Sequence, residues 1–239
     1  GLKLKVEGDY LTAEGTTLGG DDGIAVAYML AVLDDDTLKH PALECVITTD
    51  EEIGLLGAKA LDTSVLKGTH MINMDSEEEG YLWISCAGGL SGTSRIPVEY
   101  QEMEGVVTEV LIDGLNGGHS GAEIDKNRAN ANKLMGLFLY ELGQKTAYSI
   151  KDLSGGTKDN AITRSCKATL VLCEEDLSEA KITAEKLQKD LRSEYAGSDE
   201  GITISVTPGK EETVQALSMV SKEKVVFYLV HVPFGIEKM

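Results

Sequence analysis

The sequence predicts an α/β chain in two parts, an α/β half over residues 1–95 and an α+β sandwich of ferredoxin-like type over 96–239. Three observations carry that expectation. Apolar runs in the first 90 residues alternate with polar turns, as the buried strands and helices of a parallel-type sheet do. After the glycine pair Gly88-Gly89 the order becomes strand, helix, two strands, helix, strand, the order of a ferredoxin-like unit. With 239 residues, 42% of them hydrophobic, the chain can bury one large core or two ordinary ones.

Each element has its own signal. Leu2, Leu4 and Val6 alternate with Lys3, Lys5 and Glu7, which reads as a strand. Residues 23–33 (GIAVAYMLAVL) read as a helix, with Asp21 and Asp22 before it as natural caps. The runs 43–49 (LECVITT) and 70–74 (HMINM) read as buried strands followed by acids, and chemistry gathers where such strands end. In the second part, strands are expected at 95–100 and 106–113, then a helix over 129–143. Strands near 148–151 and 166–173 follow, and a helix over 178–195 opened by a capping box of Asp176 and Glu179. A strand at 202–207 and a helix from Thr213 to near Pro233 complete the pattern.

Charge and cysteines narrow the function. The formal net charge is −18, from 40 acidic and 22 basic residues. Such a surface repels nucleic-acid phosphates and anionic membrane, so neither is an expected partner. No apolar run approaches the ~20 residues of a membrane span, and the first residues do not form a signal peptide. Cys45, Cys86, Cys166 and Cys173 form no C-x-x-C pair and lie in or at the end of apolar runs, so reduced, buried thiols of a cytoplasmic protein are expected.

Three acidic clusters stand at the ends of apolar segments: Asp21-Asp22, Asp50-Glu51-Glu52, and Asp75 followed by Glu77-Glu78-Glu79. Any one alone reads as a helix cap or a solvated turn. Three together repel one another unless a cation neutralises them, and divalent metal is the obvious one. Within the adjacent pair Glu51-Glu52, one carboxylate can bind metal while the other takes a proton from water. The reading as a surface acidic pair stays open on spacing alone.

The motifs resemble those of the aminoacyl-histidine (Xaa-His) dipeptidases, grouped with glutamate carboxypeptidase and succinyl-diaminopimelate desuccinylase as co-catalytic zinc metallopeptidases. The likeness runs through TTLGGDDGIA (16–25), TTDEEIGLLGA (48–58), NMDSEEEG (73–80), GGHSG (117–121), RANANKL (128–134) and GGTKDNAI (155–162), in order over nearly the whole chain. It implies a partial zinc-peptidase catalytic domain followed by a lid/dimerisation domain. It implies two divalent metal ions, zinc before cobalt or manganese, with Asp21 bridging them and Glu52 and Asp75 as terminal ligands. Asp22 is the alternative bridge. The resemblance further implies Glu51 as general base, His119 polarising the scissile carbonyl of the partner subunit's substrate, and Asn160 holding the substrate backbone. His40, His70 and His231 read as structural.

Two features of that family have no counterpart here: a His-x-Asp before the bridging aspartate and a histidine ligand after the lid. The expectation is a truncated form of a metal-dependent dipeptidase, inactive by itself. A non-catalytic lid/dimerisation fragment, a pseudoenzyme and a tripeptidase-like relative are the alternatives. A homodimer is expected through the lid. Its contact is either an edge strand or a spare face of the helix 129–143, which carries Leu134, Met135, Leu137, Phe138, Leu139 and Leu142, more apolar positions than one stripe needs.

Overall fold

The computed structural model describes every residue except 17, 19–21, 77, 87 and 237–239. The chain divides into two compact units, Gly1–Ala87 and Gly88–Met239.

Unit 1 opens with a hairpin in which β1 (Leu4–Glu7) pairs antiparallel with β2 (Tyr10–Ala13). Helix α1 (Gly23–Asp34) starts where Asp22 accepts the Ala25 N–H at 3.1 Å, so a cap expected from the sequence forms. Ala25 is the buried residue of α1, while Ile24, Tyr28, Leu30 and Leu33 are all more than half exposed. A short helix, α2 (Leu56–Ala60), and a 3-10 turn at Thr63–Val65 follow.

The strands expected at 43–49 and 70–74 are not there. A strand exists only where a neighbouring backbone lies about 4.8 Å away to complete the ladder, and among the described residues neither segment is paired. Their side chains stay in solvent, with Ile47 59% and Met71 92% exposed. What ties this region instead is the Glu44 carboxylate, which accepts the Lys67 and Gly68 N–H groups at 2.8 and 2.6 Å.

Unit 2 follows the expected order: β3 (Tyr100–Asp113), β4 (Gly118–His119), α3 (Ala131–Gly143), β5 (Tyr148–Gly155), β6 (Ala161–Ile162), β7 (Cys166–Leu172), α4 (Leu177–Glu194), β8 (Thr203–Leu217) and α5 (Met219–His231). The main sheet has the order β5-β7-β3-β8 with every neighbouring pair antiparallel. Setting aside the small β4–β6 ladder, this is the ferredoxin-like arrangement. The core follows from periodicity. On β7, Cys166, Ala168, Leu170 and Leu172 are at most 1% exposed, while Lys167 between them faces solvent. Ala180, Ala184, Leu187 and Leu191 recur at helical spacing along α4 and are buried with them.

Helix α3 has no spare face. Leu134, Met135, Phe138, Leu139 and Leu142 belong to the unit's own core and Leu137 packs against it. The helix touches the sheet, α4 and α5 at once, which uses its surplus apolar positions. Gly136 allows the approach of α5, since a Cβ there would lie 2.6 Å from Leu229 Cβ.

Other boundaries also differ from the sequence reading. Residues 95–99 form no strand, because Pro97 lacks an N–H and both main-chain groups of Glu99 are taken by the start of α5. The Glu99 N–H donates to Ser221 Oγ at 2.8 Å and its carbonyl accepts the Ser218 N–H at 2.9 Å. Residues 213–217 extend β8, and α5 begins only after Ser218, whose hydroxyl caps Ser221 N–H. Asp176 makes no cap bond, because it ends a 3-10 turn with helical backbone and its side chain is not turned back onto α4. All four cysteines are free, and only Cys166 is buried, which pushes its thiol up to about 12. Cys45 and Cys86 lie on unpaired segments and Cys173 just beyond the end of β7, so all three are exposed rather than buried as expected. Among the described residues no helix is long and apolar enough to cross a membrane.

Candidate functional site

The best-formed polar site lies in unit 2, where the loop after β3 meets the loop after β5. Gly117 and Gly118 carry the first loop with φ of 65° and 142°, a region that glycine alone enters freely. A Cβ on Gly118 would lie 2.3 Å from Arg128 Nη1 and 2.6 Å from Glu123 Oε2, so the pair of glycines also makes room for those side chains. β4 then pairs with β6, placing His119 opposite Ala161, and the Ser120 N–H donates to the Asn160 carbonyl at 2.9 Å. Two residues singled out in the sequence, His119 and Asn160, are thereby brought onto adjoining segments. Both are exposed.

The His119 ring has a defined state of attachment. Its Nδ1 accepts the N–H groups of Gly121 at 3.1 Å and Ala122 at 3.0 Å. In the neutral ring the proton therefore sits on Nε2, which is left as the donor. The His119 main-chain N–H donates to Glu123 Oε2 at 2.9 Å. Glu123 Oε1 meets Lys126 at 2.7 Å and Arg128 at 3.2 Å, and Arg128 also donates to the Gly117 carbonyl. The Lys126 hydrogen bond, then the His119 N–H, with help from the Arg128 and Lys126 charges, holds the Glu123 carboxyl down at about 2.

Beside these loops is a cleft of about 610 Å³ lined in part by Ser120, Asn130, Asn132, Thr157, Asp159 and Thr163. Asn130 caps α3 by accepting the Asn132 N–H at 2.9 Å, and the Ala131 N–H donates to the Thr163 carbonyl at 2.9 Å. The neighbours of His119 and Asn160 in the chain thus form the cleft wall. Such a wall of hydroxyls and amides suits the backbone of a small peptide.

The acidic residues of unit 1 are arranged differently. Glu51 and Glu52 stand on an exposed turn in which the Gly54 and Leu55 N–H groups both donate to the Glu51 carbonyl, at 3.0 and 2.9 Å. Asp50 enters that turn at φ 58°, a left-handed conformation uncommon outside glycine. Asp75 is exposed on a separate segment. Asp21 lies outside the described residues. Among the described residues no group of three or more His, Cys, Asp or Glu side chains could hold a metal ion. Glu51, Glu52 and Asp75 thus stand on segments that no sheet fixes, and the expected bridging residue is not among those described.

Three site residues escaped the sequence reading. Glu123 and Arg128 could have been suspected from their places flanking Lys126 within the GGHSG–RANANKL stretch. Asp199 could not, since its partners, described below, lie far away in the chain.

Comparison with known proteins finds a family match inside unit 2. Residues 112–199 match the M20 peptidase dimerisation domain. The chain is 37% identical over 201 residues to the cytosol non-specific dipeptidase of Escherichia coli, covering 83% of this chain and 41% of that protein. It is 29% identical over 210 residues to the uncharacterized protein YqjE of Bacillus subtilis, covering 84% and 52%. The crystal structure of aminoacylhistidine dipeptidase from Vibrio alginolyticus superposes with a TM-score of 0.74 at 29% identity, covering all of this chain and 49% of that one. The chain thus spans about half or less of the length of the relatives it matches. The dimerisation-domain match, the fold and the sequence likeness agree in making this chain similar to peptidases that carry an M20 dimerisation domain.

Proposed function

We propose that this chain is part of a metal-dependent dipeptidase acting on Xaa-His and related dipeptides. In this reading residues 1–95 contribute to the catalytic domain and residues 96–239 form the lid and dimerisation domain. The observation that carries it is the β4–β6 ladder, which sets His119 beside the Asn160 loop, with their chain neighbours Ser120, Asp159 and Ala161 lining a polar cleft. His119 offers its Nε2–H to the carbonyl oxygen of the scissile bond, where negative charge develops, and its tied Nδ1 keeps that donor in place. Asn160 holds the substrate backbone.

The family implies a divalent metal. Asp21, Glu52 and Asp75 are assigned as this chain's ligands to two ions, zinc before cobalt or manganese, and Glu51 as the general base; these assignments rest on the motif resemblance. The dimer is assigned to an edge strand of the main sheet, β5 or β8, because α3 is used internally. A cytoplasmic location is supported by the name of the Escherichia coli relative.

The test is hydrolysis. A protein of the relatives' length containing these residues should cleave Xaa-His dipeptides, and Glu51→Gln should lower turnover by about 10²–10⁴-fold while keeping metal. Glu52→Gln should lower metal occupancy. Absence of hydrolysis by the longer protein contradicts the reading, and the reverse pattern of metal loss exchanges the two glutamates. The competing reading, a non-catalytic dimerisation module, is favoured by one observation, that unit 2 holds nearly all of the buried core. Chelator-sensitive turnover in the longer protein, lost in His119→Ala, decides against it.

A further inference from the structure

Asp199 lies between the end of α4 and the start of β8 and is 0% exposed. A buried carboxylate is costly unless its oxygens are satisfied, and here both are taken by main-chain donors. Oδ1 accepts the Asn116 N–H at 2.6 Å and Oδ2 accepts the Ala129 N–H at 2.7 Å. The Asn116 side chain turns back onto the same turn, donating to the Ser198 carbonyl at 2.5 Å.

These two N–H groups mark the two ends of the loop 116–129, and His119 lies inside it. From the Asn116 end the chain runs through Gly117 and Gly118 directly into His119. From the Ala129 end, the preceding Arg128 donates to the Gly117 carbonyl and pairs with Glu123, whose other oxygen holds the His119 N–H. One carboxylate thereby fixes both strands of the loop that aims the ring.

We infer that Asp199 is a positioning residue for His119, holding the loop 116–129 shut so that the Nε2–H keeps one direction; the catalytic meaning of that direction rests on the function proposed above. The role requires a carboxylate. An asparagine has the same shape but only one acceptor, so one of the two N–H groups would face an NH₂ instead. Nothing in the local sequence marks Asp199, which sits in a Gly-Ser-Asp-Glu-Gly run that reads as an ordinary turn.

The test is NMR on the 239-residue chain labelled with nitrogen-15. In the unaltered protein the Asn116 and Ala129 amides should be protected from exchange, and the His119 ring should show one tautomer with Nδ1 unprotonated. In Asp199→Asn at least one of those amides should exchange about ten- to a hundred-fold faster. The His119 ring signals should move toward tautomer-averaged values, while the amides of Phe138 and Leu170 in the core stay protected. Unchanged His119 signals in a folded Asp199→Asn overturn the inference and leave Asp199 a structural residue. Should that variant not fold, the unaltered chain decides, since rapid exchange at both Asn116 and Ala129 also overturns it and protection at both supports it. In the longer dipeptidase Asp199→Asn should lower kcat with little change in KM. A longer protein without dipeptidase activity removes the proposed function but leaves the ring and exchange results to stand or fall by themselves.

Discussion

The run 166–172 in unit 2 and the run 43–49 in unit 1 have similar composition, short and apolar with a cysteine, yet they end differently. Cys166, Ala168, Leu170 and Leu172 are at most 1% exposed, between β3 and β5 in a four-stranded sheet. In the other run Val46 is 38% and Ile47 59% exposed, and no strand forms. What separates them is the supply of neighbours. In a ferredoxin-like unit each strand finds its ladder partner and a covering helix within the same short stretch of chain, whereas a parallel-type sheet needs partners brought back by crossovers. The difference reaches the candidate residues, because His119 stands on β4 and the Asn160 carbonyl is bonded to Ser120 beside it, whereas Glu51, Glu52 and Asp75 stand outside any strand.

Paired substitutions test that contrast most strongly. Phe138→Ala, at a position 0% exposed, should destabilise unit 2 by about 3–5 kcal/mol. Ile47→Ala, at 59% exposure, should change stability by less than about 0.5 kcal/mol. Denaturant melts of the two variants check this, and equal losses would erase the distinction between the units. A smaller effect sharpens it at the helix starts. Asn130→Ala removes acceptors for the Asn132 and Lys133 N–H groups and should cost about 1 kcal/mol, whereas Asp176→Ala removes no cap bond and should be close to neutral.

The gentlest probe is acid. The Glu123 carboxyl is depressed in the folded protein, so its stabilising contribution is present above its ordinary value of 4.5 and is lost as pH falls toward about 2. The His119 amide resonance, which reports on the Glu123 bond, should therefore titrate with a midpoint near 2. A midpoint between 4 and 5 would show that the Lys126–Glu123–His119 bracing is absent in solution.

Much of unit 2 was legible because its signals are local. The alternation on β7, the helical spacing on α4 and the order of elements were all readable from residues close in the chain. Asp22 as a cap was legible for the same reason, since its acceptor and donor are three residues apart. What failed was set by distance. The end of β3 at Tyr100 depends on Ser218 and Ser221, more than a hundred residues later. In the site, His119 stood out by its glycine-flanked loop, but the residues that brace it did not. Asp199 acts across 83 and 70 residues on Asn116 and Ala129, and no pattern within a helical turn or a strand can announce such a contact.

Hydrogen exchange read by mass spectrometry on the intact 239-residue chain tests the central claim most directly, that the sheet of unit 2 is formed while the apolar runs of unit 1 are not fixed by one. Segments 106–112, 134–142 and 166–172 should exchange only through global opening of unit 2. Segments 43–49 and 70–74 should exchange close to the rate of an unstructured chain. Protection of 43–49 and 70–74 comparable to that of β7 would contradict the account, because it would mean that these runs are paired strands after all.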